Sequence, residues 1–210
     1  MNLIGDIAGN FKTLMALLKQ MPDAEPIGLG DLNDRGPRSR EVFDFFMRNG
    51  QSLLGNHEHM MLHHLIGSDY YKDGTWFDAW GSETLKSFKD IEVMDSYIQW
   101  LKDRPLFIET DDLILTHAPV AGILKSFNDG LNLGDNYYSE ETFTSFIWNY
   151  YHPPKRKDKY QVCGHLNQIR PRFFEDDDGD FGACIDTSPS RMLTGMHWPS
   201  KKIYQQEYID

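Results

Sequence analysis

The sequence predicts an α/β fold, a mixed β-sheet sandwich flanked by helices. Three observations carry that prediction. The first third of the chain alternates short apolar runs with helical patterns, β-α-β-α-β-α, the signature of a parallel sheet with right-handed crossovers. From Tyr160 onward the pattern turns mostly to strands separated by tight turns, which favours antiparallel hairpins. Finally, five apolar runs each end in a small residue and then a potential metal ligand: Leu3-Ile4-Gly5-Asp6, Ile27-Gly28-Leu29-Gly30-Asp31, Leu53-Leu54-Gly55-Asn56, Ile114-Leu115-Thr116-His117 and Val162-Cys163-Gly164-His165. Functional groups collect beyond the carboxyl ends of strands in open α/β sheets, so these endings predict one site assembled from distant parts of the chain.

The first run predicts a strand, and Gly9-Asn10 a turn. Phe11, Leu14, Met15, Leu17, Leu18 and Met21 then recur at helical spacing, with a stop expected near Pro22. The second strand leads into Asn33-Asp34-Arg35-Gly36-Pro37. Pro37 suits the first turn of a helix, Val42, Phe45 and Phe46 supply its buried face, and Gly50 closes it. The third strand, at Leu53-Leu54, runs through Gly55-Asn56 into a helix over 57–66. Residues 67–105 read as helical and aromatic, with Trp76, Phe77, Trp80, Tyr97 and Trp100 as core and lid packing. Strands follow at 106–108 and 113–116, joined by a hairpin at Thr110-Asp111-Asp112. A loop with Gly122, Gly130 and Gly134 precedes a helix over 140–151. The basic loop 153–157 reads as solvated surface, with contact to an anionic substrate as the alternative. The last strands are expected at 160–164, 171–174, 181–185, 192–193 and 203–208, with the acidic run 175–180 as a solvated hairpin turn.

A chain of 210 residues without linker or repeat is expected to be a single domain, 1–210. No apolar run approaches the ~20 residues of a membrane-spanning helix, and the start lacks a basic region followed by an apolar stretch. A cytoplasmic protein with no membrane partner is therefore expected. Cys163 and Cys184 sit in apolar, strand-like surroundings and read as buried reduced thiols. The net charge of −11 argues against nucleic acid as a partner. It permits a phosphorylated substrate, because a bound metal reverses the local field. Asp, Asn and His together form an O/N donor set that suits Mn, Fe, Zn or Mg. Oligomeric state is left open.

Taken in order, Gly5-Asp6, Gly30-Asp31-Leu32-Asn33-Asp34-Arg35-Gly36, Gly55-Asn56-His57-Glu58, Thr116-His117-Ala118 and Gly164-His165 resemble the calcineurin-like metallophosphoesterase superfamily. Within it the likeness is to the phosphoprotein phosphatase branch, whose motifs read GDxHG, GDxVDRG, GNHE, a lone HA/HG and GH. The motifs there most resemble those of small bacterial and lambda-phage Ser/Thr protein phosphatases. The likeness continues through Pro105-Leu106-Phe107-Ile108, Phe146-Ile147-Trp148-Asn149 and Ile185-Asp186-Thr187.

The resemblance implies αββα layering and hydrolysis by two divalent ions, roughly 3.5–4 Å apart, that activate water and hold phosphoryl oxygens. Mn is the ion expected. It further implies Asp6 and a bridging Asp31 at the first ion, and Asn56, His117 and His165 completing the second. His57 is implied as general acid, Asp34 as the group fixing its tautomer, and Arg35 as a planar fork for phosphate. Asn56 and Tyr150 are implied beside the substrate.

Three positions depart from the pattern. Ala8 stands where the family has His in GDxHG, Asn33 replaces Val in GDxVDRG, and Tyr150 replaces the arginine of IWNR. The first ion site is therefore expected to be weak, with Asn33 as a candidate compensating oxygen and Lys155 or Arg156 as replacement cations. The leading function implied is a phosphomonoesterase of Ser/Thr protein phosphatase type. One alternative is an ApaH-like hydrolase of bis-nucleoside polyphosphates, favoured if Trp76, Trp80 and Trp148 make a base-stacking pocket. The other is a catalytically weakened binding module, because of Ala8. The implied partner is a phosphoprotein or a nucleotide.

Overall fold

In a computed structural model, the structure describes residues 1–71, 75–89, 94–119, 145–156 and 159–210. The chain opens with β1 (Asn2–Ile4), α1 (Phe11–Leu18), β2 (Pro26–Gly28), α2 (Ser39–Asn49), β3 (Gln51–Ser52) and α3 (Asn56–Leu65). A single π-helical turn, Phe77–Gly81, then leads into α4 (Ser82–Ser87) and α5 (Met94–Lys102). The remaining strands are β4 (Phe107–Glu109), β5 (Leu113–Thr116), β6 (Tyr160–Cys163), β7 (Arg172–Asp176), β8 (Gly179–Cys184), β9 (Met192–His197) and β10 (Lys202–Glu207). They form two five-stranded sheets, ordered β10-β9-β1-β2-β3 and β4-β5-β6-β8-β7. β1, β2 and β3 run parallel, as do β5, β6 and β8, while β4, β7, β9 and β10 pair antiparallel. The mixed α/β sandwich expected from the sequence is the architecture found.

Side-chain alternation explains the layers. In β1, Leu3 joins Ile27, Leu29 and Leu53 in packing against Leu113, Leu115, Val162, Ala183 and Ile185 of the other sheet. Its neighbour Ile4 faces the opposite way, into a layer with Leu14 and Leu17 of α1, Val42, Phe43 and Phe46 of α2, and Met60 and Met61 of α3. This two-residue period is what lets a three-residue strand serve two cores. Each such Leu, Ile or Phe buried contributes roughly 1.5–3 kcal/mol. On the outer face of the second sheet, Leu106 and Ile114 pack with Phe146 and Ile147.

Several boundaries differ from the sequence reading. α1 ends at Leu18, short of Pro22. The third ladder strand is Gln51–Ser52, because the next residues divide their bonds: Leu53 N–H donates to Gly28, whereas Leu54 N–H turns to Pro105 near the second sheet. The acidic run forms the tip of the β7–β8 hairpin, and Lys155 donates to Asp176 and Asp178 there at 3.0 and 2.7 Å. Lys155 thus lies against the hairpin tip instead of folding back toward the strand ends. Cys163 and Cys184 are buried, free and in register on β6 and β8. The loop with Gly122, Gly130 and Gly134, the start of the helix expected over 140–151, and Lys157 lie outside the described residues. No helix among the described residues is long and apolar enough to cross a membrane.

Candidate metal and catalytic centre

The five strand endings do come together. Asp6, Asp31 and Asn56 follow β1, β2 and β3 of one sheet, and His117 and His165 follow β5 and β6 of the other, so the centre lies across the seam between the sheets. His117 Nε2 lies 2.8 Å from Asn56 Oδ1 and 3.3 Å from Asp31 Oδ1. His165 Nδ1 lies 3.0 Å from the same Asn56 oxygen, and the His165 backbone N–H donates to the Asp6 carboxylate.

The donor set fits a cation, and the hydrogen bonds show why. His117 Nδ1–H donates to the Leu29 carbonyl at 2.8 Å, so in the neutral ring Nε2 carries a lone pair. That lone pair faces two oxygens, from Asn56 and Asp31, which themselves offer only lone pairs. A cation among these atoms would satisfy all of these lone pairs together. His165 Nε2 is buried with no hydrogen-bond partner among the described residues. Among those residues no three His, Cys, Asp or Glu side chains alone are arranged to hold an ion; Asn56 is the atom set through which the donors meet.

Electrostatics separate the members. Burial, with the charges of Asp186 and Asp31, pushes the Asp6 carboxyl well above the usual range. Burial also pushes Asp31 up, but His117, His57 and His165 outweigh it and hold that carboxyl low. Burial, then His117, lowers His165 to about 3. Glu58 is pushed up to about 7 by burial and by Asp31, against three backbone N–H groups that stabilise its charge. Those N–H groups belong to Asp31 (2.9 Å), Leu32 (2.5 Å) and Gly55 (2.8 Å), so one carboxylate staples the Asp31 turn to the Asn56 turn. The turns touch so closely that a Cβ on Gly55 would lie 2.4 Å from Asp31 N and Oδ1. The Gly55-x-x-Glu58 spacing fits the bond to Gly55 at the helix start, but nothing in it announces the bonds to Asp31 and Leu32.

Beside the donors sits a second unit. His57 Nδ1–H donates to Asp34 Oδ2 at 2.6 Å, and its Nε2 lies 3.7 Å from Asp31 Oδ2. Burial alone would lower the imidazole; Asp31 and Asp34 more than offset it and raise His57 above its ordinary value. Asp34 is fully buried and also accepts hydrogen bonds from Asn33, Trp76 and Thr84. The Asn33 amide nitrogen points to Asp34 Oδ1 and to Met61 Sδ in the core. Asn33 therefore serves Asp34 through its amide nitrogen, while its Oδ1 is buried with no hydrogen-bond partner among the described residues. Arg35 is exposed, with one bond from its guanidinium to Ser188 Oγ at 3.3 Å.

Ala8 is held against the same turns. Its N–H donates to Asp31 O, and its carbonyl accepts from Gly36 N–H and Asn10 Nδ2. Ala8, Asp31, Asp34, Arg35 and His165 all have φ between 51° and 69°. The left-handed region costs a non-glycine residue roughly 1–2 kcal/mol, so five such residues in one cluster are strain held in place by these hydrogen bonds.

Of the aromatic residues expected to form a stacking pocket, Trp76 is buried and committed to Asp34, and Trp148 donates to Tyr71 Oη. The third, Trp80, is exposed beside the centre, and so is Tyr150, which was not among them. Trp80, 38% exposed, meets His57 edge-on at 5.3 Å, and Tyr150, 62% exposed, lies 4.7 Å from His165. Burial and the Asp31 charge push the Tyr150 phenol up.

A family model described as calcineurin-like phosphoesterase matches residues 2–168. A symmetrical bis(5'-nucleosyl)-tetraphosphatase from Methylobacillus flagellatus is 34% identical over 140 residues, 62% of this chain and 47% of that protein. The chain thus spans about half the length of that relative. A crystal structure described provisionally as a diadenosine tetraphosphatase superposes with a TM-score of 0.65 at 17% identity, covering 100% of this chain and 94% of that one. A protein serine/threonine phosphatase from Saccharomyces cerevisiae superposes with a TM-score of 0.64 at 13% identity, covering 100% and 80%. At such identities these two show the fold alone.

Proposed function

We propose that this chain, which belongs to the calcineurin-like phosphoesterase family, is a metal-dependent hydrolase of bis-nucleoside polyphosphates. The observation that carries the proposal is the meeting of His117, Asn56 and Asp31 lone pairs beside the His57–Asp34 pair. Asp31, Asn56, His117 and His165 would hold one divalent ion, and Asp6 with Asp31 a second, weaker one. Bound there, the ions supply Lewis acidity and an activated water. Manganese is the ion proposed, on the chemistry of an O/N donor set.

The chain's own residues supply the rest. With Nδ1–H committed to Asp34, His57 presents Nε2 toward the centre and can place a proton at the leaving oxygen. Arg35 offers a planar pair of N–H groups to phosphoryl oxygens from an exposed position. Trp80 and Tyr150 give flat apolar faces at the two histidines, where a nucleobase can stack.

Those exposed rings, together with the relative from Methylobacillus flagellatus, support a nucleotide over the phosphoserine or phosphothreonine that the motifs alone place first. The His57–Asp34 pair speaks against a pure binding module, which has no use for a buried, oriented imidazole.

The test compares diadenosine tetraphosphate, a phosphoserine peptide and p-nitrophenyl phosphate with Mn-supplemented protein. The highest kcat/KM is expected on the dinucleotide, each molecule yielding two of ADP. A higher value on the peptide would return the assignment to protein phosphatase. Absence of turnover on all three with metal bound would favour the binding module.

A further inference from the structure

We propose that Trp76 and Thr84 are positioning residues, whose hydrogen bonds to Asp34 fix the rotation of that carboxylate and hence the ring plane and tautomer of His57. The inference rests on the reading of His57 as the group facing the leaving oxygen. Both oxygens of Asp34 are fully used. Oδ2 accepts from His57 Nδ1 at 2.6 Å and Trp76 Nε1 at 2.7 Å, and Oδ1 accepts from Thr84 Oγ1 at 2.6 Å and Asn33 Nδ2 at 2.9 Å. A carboxylate has about four lone-pair sites, so four donors leave it no freedom to turn.

Thr84 also holds the backbone. Its Oγ1 accepts the Asp34 N–H at 2.9 Å while donating to the Asp34 carboxylate, a reciprocal pair, and it touches Ser39 Oγ at 3.1 Å. Asp34 has a φ of 69°, so its backbone needs such a tie. Trp76 and Thr84 bracket the π-helical turn, which makes them one rigid clamp. The Trp76 ring lies on Gly81 so tightly that a Cβ there would come within 2.7 Å of it. Trp80, on the same turn, lies 5.3 Å from the His57 ring with the two planes 70° apart. This excursion is therefore built around the Asp34–His57 pair, beyond filling the core.

The experiment uses the full chain with Trp76→Phe, Thr84→Val, Thr84→Ser and His57→Ala. In water, proton NMR of the parent should show the His57 Nδ1–H and Trp76 indole N–H far downfield, as short bonds to a carboxylate require. Trp76→Phe and Thr84→Val should each broaden or shift the His57 signal, and Thr84→Ser should restore it. In Mn-supplemented turnover, the same two variants should lose about tenfold more activity on phenyl phosphate than on 2,4-dinitrophenyl phosphate, whose leaving group needs no proton. His57→Ala should show the same bias at roughly 10²-fold or more.

An unchanged His57 signal in Trp76→Phe and Thr84→Val, with equal losses on both esters, overturns the inference. If His57→Ala shows no bias, the acid role of His57 falls, while the NMR signal still decides whether Trp76 and Thr84 hold the ring. Should Trp76→Phe fail to fold, the Thr84 pair of variants decides alone.

Discussion

The two halves of the centre answer the same demand in different ways. Around Asn56, imidazoles, an amide and one carboxylate face each other at 2.8–3.3 Å, and the histidines hold Asp31 ionised. Around Asp6 the neighbours are carboxylates, Asp186 and Asp31, and Ala8 stands where the family pattern has an imidazole. One half sets a single carboxylate among imidazoles and an amide; the other is crowded with carboxylates whose charge a cation or protons would relieve. The loss of one ligand thus changes the local charge balance as well as the donor count.

The largest effect should come from the residue the halves share. Asp31→Asn is expected to lower turnover by about 10³-fold, several kcal/mol of transition-state stabilisation, and to deplete metal from both sites by elemental analysis. Loss from one site only would mean that Asp31 does not bridge.

Ala8→His is the direct attempt to make the halves alike. The backbone there already lies in the left-handed region that His tolerates better than most residues. Metal content should rise toward two ions per chain, with at least about tenfold tighter binding of the weaker ion and faster Mn-dependent turnover. If neither changes, Ala8 does not mark the missing ligand.

The pH dependence of stability should separate the halves without any mutation. His165, held near 3, and His59, also lowered to about 3 by burial and His63, resist protonation in the fold, so stability is lost as pH falls below 6.5. The carboxyls behave oppositely. Glu58 holds its proton to about 7 and Asp6 well above its ordinary value, so ionising them destabilises the fold as pH rises from 4.5 through 7. His57, raised by its carboxylates, adds a loss on the same alkaline side. Urea melts in EDTA should show a maximum near the middle of this range, with an alkaline limb on the order of 1–3 kcal/mol. Added Mn should flatten that limb; an unchanged limb would mean that no cation relieves the crowding.

The smallest effect is expected outside the centre. Lys155→Ala should leave KM for the dinucleotide where it was, because Lys155 is held by the β7–β8 hairpin. A raised KM would bring the basic loop back as a substrate contact.

The legible parts of the sequence are those with a period or a fixed offset. Alternation in Leu3-Ile4 and the helical spacing from Phe11 to Leu18 gave the layers, and strand-end Asp, Asn and His residues gave the donors. Ala8 and Tyr150 stood out because a motif pattern existed to depart from. Trp76 and Thr84 carried no such mark: they reach Asp34 across 42 and 50 residues, and no local pattern records a bond at that separation. Asn33 is hard to read for a related reason, since its position beside Asp34 says nothing about which way its amide turns. Lys155 found its partners on a hairpin some twenty residues later.

The placement of the donors across the seam has a mechanical consequence. Neither sheet owns the centre, so an ion bound to Asn56 and His117 would rivet two slabs that otherwise meet through apolar packing and a few hydrogen bonds such as His117 Nδ1–H to Leu29. Binding at a hundredfold excess over the dissociation constant adds about 2.7 kcal/mol to a fold that requires the site intact. The supply of divalent ion in the surroundings would then set how firmly the two sheets are docked, as well as how fast the centre turns over.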